Sequence, residues 1–159
     1  MQYKTYFHIL AGMAILELGN LASSLAPFNV SAVSVGLNAN SQEAGLVVTL
    51  ELFFAAISSL YFGNAAYKGR ALGLTGSIIV MVCYYLCSVS SDVNQITFIK
   101  AFSGIGCGML IASGHSILAS SKDPNRSYAL FTLFASLTAA FLIYISSTWI
   151  EDGLSLIHI

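Results

Sequence analysis

Charge is what this sequence has least of. Only 8% of its 159 residues are Asp, Glu, Lys or Arg, about a third of the share that a soluble domain carries. That deficit excludes an ordinary soluble domain, which could not cover so apolar a core with polar surface. The net charge is −1, so nothing calls for nucleic acid or another highly charged partner. Cysteine is scarce too, and Cys83, Cys87 and Cys107 lie inside apolar runs without CxxC or Cys/His spacing. They read as small packing groups, and no metal site or cofactor is expected. HExxH, GxSxG and a phosphate-cradling Gly-Lys-Ser/Thr loop are also missing, which leaves no enzyme motif. "SGHS" (113–116) sets His115 between serines, but helix neighbours at i±1 face apart and make no nucleophile–base pair.

What is present is apolar length. Hydrophobic residues make up 57% of the chain and the mean hydropathy is +0.80. A helix crossing a bilayer needs about 20 mostly apolar residues. Five segments qualify: 7–34, 44–66, 71–90, 96–119 and 128–150, separated by polar breaks at 37–43, 67–70, 91–95 and 120–126. The expected fold class is therefore an all-α membrane protein with five transmembrane helices and the lipid bilayer as its main partner. The first segment is overlong and contains Pro27, which predicts a kink or tilt. It has no small-residue cleavage pattern and reads as a retained span.

Charge placement predicts orientation. With the N-terminus in the cytoplasm, Lys4, Lys68, Arg70, Lys122 and Arg126 all fall on the cytoplasmic side. Glu43, Asp92, Glu151 and Asp152 then fall outside, with no Lys or Arg among them. This is the positive-inside pattern of short loops, and the expected location is a bacterial inner (plasma) membrane.

Three ionisable residues lie within the predicted spans: Glu17, Glu51 and Lys100. An intramembrane charge costs roughly 2.5–3.5 kcal/mol on insertion scales, so each needs a partner or a wet cavity. At about 1.5 Å per residue, Glu51 lies ~10 Å and Lys100 ~6 Å inside the outer face, depths that allow an ion pair if spans two and four are neighbours. The other reading is that Lys100 snorkels to the outer interface. Glu17 lies ~15–18 Å from the cytoplasmic end of its helix. Asn20 and Ser24 follow it at i+3 and i+7, a polar stripe on one face. Substrate binding or proton coupling is one reading of Glu17, and a structural interhelix hydrogen bond is the other. In the fourth span Gly104, Gly108, Ala112, Ser116 and Ser120 recur at four-residue spacing, which predicts a flat face for close helix packing.

Two stretches resemble the major facilitator superfamily. "GNAAYKGR" is similar to its loop-2/3 signature, with Gly63, Lys68, Gly69 and Arg70 at matching positions and Tyr67 where the family has Asp. "KAFSGIGCGMLIASG" (100–114) is similar to its fourth-span pattern, with Lys100 for the usual Arg, followed by Gly104, Gly106 and Gly108. The resemblance implies a secondary transporter that moves a small organic solute by alternating access, and Glu17, as an isolated intramembrane carboxylate, points to protons rather than sodium as the coupling ion. The resemblance also implies that residues 1–153 form part of the N-terminal six-helix half. Spans one, two, four and five would border the cavity, and the C-terminal half of the transporter would be a missing partner. "LSLIHI" (154–159) resembles a translated sequencing adapter and is set aside from the fold. The rival reading is a small five-span scaffold or assembly subunit without transport activity.

Overall fold

The computed structural model describes residues 2–65 and 69–157, with side chains described for residues 7–65 and 69–145. The described residues form six helices: α1 (Gln2–Ser24), α2 (Ala26–Gly36), α3 (Ser41–Gly63), α4 (Gly69–Val89), α5 (Val93–Ala119) and α6 (Pro124–Ile157). There is no strand among the described residues. Five stretches are long and apolar enough to cross a membrane: Phe7–Ser24, Ser41–Gly63, Gly69–Val89, Val93–Ala119 and Pro124–Ile145. The chain is an all-α membrane protein.

The first predicted span is not one helix. It divides at Leu25, whose ψ of 8° leaves the helical region. Pro27 is the cause, because it has no N–H to give to the carbonyl of Ser23 and its ring crowds that carbonyl. The break is short: Leu25 N–H still reaches Leu21 O at 2.9 Å, and Asn29 N–H reaches Leu25 O at 2.9 Å. Pro27 itself sits in the first turn of α2, where a missing donor costs least. The bend lets α2 lie over the start of α3. Val33 and Ala39 pack there with Ala44, Val47 and Ile96.

Helix starts follow from their caps. Asn40 Oδ1 accepts from the N–H groups of Gln42 (3.0 Å) and Glu43 (2.9 Å). Glu43 Oε2 in turn accepts from Asn40 N–H at 3.0 Å, closing a capping box. Asp92 opens α5 by accepting from Gln95 N–H at 2.9 Å, and Asp123 opens α6 by accepting from Arg126 N–H at 3.1 Å. Glu43 and Asp92 thus lie at one end of the bundle, and Arg70, Lys122 and Arg126 at the other. Lys68 lies outside the described residues, as do residues 158–159 of the apparent adapter. Residues 154–157, set aside from the sequence, continue α6.

The bundle is organised around α5, in which 13 of 27 residues are buried on all sides. Each neighbour meets it through glycine. Toward α3, a Cβ on Gly104 would overlap the Glu51 carbonyl oxygen, and one on Gly108 would stand 2.5 Å from Ala55 O. Toward α4, a Cβ on Gly76 would stand 2.8 Å from Gly106 O. Toward α1, a Cβ on Gly114 would meet Leu16, and one on Gly19 would stand 2.9 Å from Cys107 O. Helices this close gain dispersion contacts that lipid cannot match. By contrast α6 touches the rest near its start, where Tyr128 and Phe131 pack on Met13, Leu16 and Leu118. Further along, Leu133, Leu137 and Phe141 are exposed to the surroundings.

These contacts set a test. Gly104→Val drives a side chain into the α3 backbone and should cost about 1–3 kcal/mol, as overpacking does. Gly45→Ala meets nothing within 4 Å and should gain up to about 1 kcal/mol from helix propensity. Equilibrium unfolding in detergent micelles compares the two directly.

Candidate functional site

Lys100, Gly104 and Gly108 share the face of α5 that looks at α3, four residues apart. The two glycines bring the backbones together, and Lys100 one turn earlier therefore lands on Glu51. Its Nζ lies 3.1 Å from Glu51 Oε2 and 3.4 Å from Oε1. Both side chains are buried, with Glu51 0% exposed. The third member is Tyr84 of α4, which the sequence offers only as one of two tyrosines inside a span. Its hydroxyl donates to Glu51 Oε1 at 3.4 Å, and Lys100 Nζ sits 4.0 Å from the centre of its ring. The cation is thus held by a carboxylate and an aromatic face together. Tyr84 is itself 39% exposed, and Tyr85, its neighbour, 68%.

Such a cluster closes on itself. The carboxylate has a cation and a phenol, and the ammonium has a carboxylate and a ring. Its chemistry is compensation, tying α3, α4 and α5 into one unit near the acidic end.

Glu17 has none of this. It is 5% exposed, and neither carboxylate oxygen has a hydrogen-bond partner among the described residues. Asn20 and Ser24, its expected stripe partners, are half-buried, and neither bonds to it. Asn20 instead accepts a hydrogen bond at its carbonyl from Ser23 Oγ, at 2.8 Å. The interhelix hydrogen bond offered as the structural reading of Glu17 is therefore absent among the described residues.

The four-residue stripe on α5 proves to be two surfaces. Gly104 and Gly108 are pressed against α3, and Ser58 Oγ ties the helices by donating to Ile105 O at 2.8 Å. Close contact continues through Gly108, which still meets Ser58 and Ser59. Ala112, Ser116 and Ser120 face an open cleft of about 650 Å³, across from Ser59 and Gly63 of α3, with Tyr128 of α6 closing one side. His115 also lines it, its Nδ1 3.2 Å from the Tyr128 hydroxyl. Gly63 is thus no packing glycine, since a Cβ there would meet nothing within 4 Å. Gly69 does receive a neighbour: Ser113 Oγ donates to its carbonyl at 2.6 Å. Arg70 beside it is exposed, and Lys68 is outside the described residues.

Cys83 and Cys107 are buried, Cys87 half-buried, and all three are free. No group of three or more His, Cys, Asp or Glu is placed to hold a metal among the described residues. No family model, curated protein or solved structure matches the chain.

The closed cluster makes a sharp prediction. Lys100→Met leaves Glu51 buried without its cation and should destabilise the bundle by about 3–5 kcal/mol. Adding Glu51→Gln removes the stranded charge and should recover most of that loss. A double-mutant cycle by unfolding in micelles measures the recovery.

Proposed function

We propose that this chain is the N-terminal part of a secondary transporter of the facilitator type, moving a small organic solute by alternating access with proton coupling. The observation that carries the proposal is the contrast between its intramembrane acids. Glu51 is compensated by Lys100 and Tyr84. Glu17 is buried too and has no hydrogen-bond partner among the described residues. A carboxyl in a span is costly, and a merely structural one is paired. An uncompensated one is supported as a group that gains and loses a proton, or a substrate contact, during a cycle.

In this reading the basic end, with Arg70, Lys122 and Arg126, lies in the cytoplasm of a bacterial inner membrane. The cleft between α3 and α5 opens to that side. The core of α1, α3, α4 and α5 moves as one body, because glycine contacts and the charged cluster join its helices. The opposing wall of the pathway comes from the C-terminal half, against which this body rocks.

The test is proton movement. The chain, expressed with whatever coding sequence continues from it, is placed in vesicles holding a pH-sensitive dye and offered a panel of sugars, amino acids, amines and organic acids. One class should drive a pH change. Glu17→Gln should reduce that change to the level of empty vesicles, while Glu17→Asp keeps part of it. Solute uptake with unaltered pH dependence in Glu17→Gln would sink the coupling role. The absence of any solute-driven flux would favour the five-span scaffold instead.

A further inference from the structure

The cleft at the basic end has a hydrogen-bonding character that its residue types alone do not announce. Ser59 Oγ gives its proton to Ala56 O at 2.8 Å, and Ser120 Oγ gives its own to Ile117 O at 2.9 Å. Both oxygens keep lone pairs and have no proton left to offer. The Tyr128 hydroxyl donates to His115 O at 3.2 Å. With that proton on His115 O, the tautomer that also completes the 3.2 Å contact of the hydroxyl with His115 Nδ1 is the one with hydrogen on Nδ1. In the neutral ring Nε2 is then an acceptor. Among the described lining residues there is no Lys, Arg, Asn, Gln or Trp.

The backbone adds to this. The cleft lies beside the last turns of both α3 and α5, which end at Gly63 and Ala119. A helix C-terminus carries roughly half a negative elementary charge on its unpaired carbonyls. Two such ends beside one cleft favour a cation. Lys122 and Arg126 follow in sequence, but neither is a lining residue. The volume of about 650 Å³ falls within the range of about 300–1,000 Å³ that small-molecule sites occupy. The cleft is open enough for a charged guest to keep part of its water.

From these observations we infer that the α3–α5 cleft binds a small organic solute carrying a primary ammonium group. The N–H donors meet Ser59, Ser120 and His115, and the aromatic face of Tyr128 receives the charge. Binding here does not depend on Glu17 or on transport. The inference rests on the transporter reading only in making this solute class the cargo.

Thiol protection tests it on the purified chain in micelles. Gly63→Cys places a reporter where added atoms meet nothing within 4 Å, and Ala119→Cys places a second on the facing wall. Reaction with N-ethylmaleimide is timed against the unaltered chain, whose native thiols set the background. Benzylammonium should slow both reporters several-fold. Benzyltrimethylammonium has the same charge and ring but no N–H, and should protect far less. Ser59→Ala or Ser120→Ala should each weaken benzylammonium protection by roughly tenfold, the worth of one hydrogen bond to a charged group. Calorimetry on the unaltered chain must give the same order of affinities, which keeps the test valid should a reporter variant fail to fold. Equal protection by both amines, protection by benzoate, or no binding by either method overturns the inference. Protection without solute-driven flux would retain the cleft and count against the transporter reading. Flux without protection would do the reverse.

Discussion

Everything in this bundle depends on how closely α5 approaches its neighbours. Apolar burial does not drive helices together in lipid, because the tails are as apolar as the side chains they would replace. What remains is contact at short range, and that requires positions without a Cβ. On α5 these positions point in several directions. Gly104 and Gly108 face α3, Gly106 faces Gly76 of α4, and Gly114 faces Leu16 of α1. One glycine-rich helix therefore organises three others around itself. The Glu51–Lys100 pair is a consequence of this. Lys100 is one turn from Gly104, and the backbone oxygen that covers Gly104 belongs to Glu51. The same approach that brings the helices together brings the charges to 3.1 Å.

The cleft has the same origin with the opposite sign. Along the α3-facing side of α5 the residue at each turn changes from Gly at 104 and 108 to Ala at 112 and Ser at 116 and 120. Once a Cβ is present, the backbones cannot stay as near, and the cleft opens beyond Gly108, which still meets Ser58 and Ser59. A wedge follows, narrow where glycine ends and open at the basic end. Packing and cavity are thus set by where along one face the glycines stop.

Much of this is legible in the sequence, and the limits have physical reasons. Hydropathy gives the spans because each helix must satisfy its own backbone in lipid, so length and apolarity suffice. Pro27 marks the break, though not that the chain would resume as a separate helix after Leu25. Depth along the helix makes a Glu51–Lys100 pair possible, while the neighbourhood of the two helices that it needs is set by Gly104 and Gly108. Tyr84 and Tyr85 read alike as tyrosines that could hydrogen-bond to a neighbour. The choice of Tyr84, and of Glu51 as its partner, could not be foreseen, because which face of α4 meets the pair depends on packing with Gly76 and Gly106. The even spacing from Gly104 to Ser120 reads as one packing face. Spacing reports direction around a helix, and it says nothing of the distance to the helix opposite.

The two acids of the bundle show why pairing decides what a buried charge can do. Glu51 is surrounded by a fixed cation and a phenol, so any change in its charge strands Lys100 in the membrane and opposes itself. That makes it a good brace and a poor carrier. Glu17 lies on α1, next to positions where Gly12 and Gly19 meet α5, and it has no such counterweight among the described residues. A change in its charge disturbs no partner there, and its cost is set by whatever water or solute can reach it. In a protein that alternates between two openings, access to such a group differs between states. Under the proposed reading, that difference lets one carboxyl report on which side of the membrane the pathway faces. The brace holds α3, α4 and α5 together while it does so.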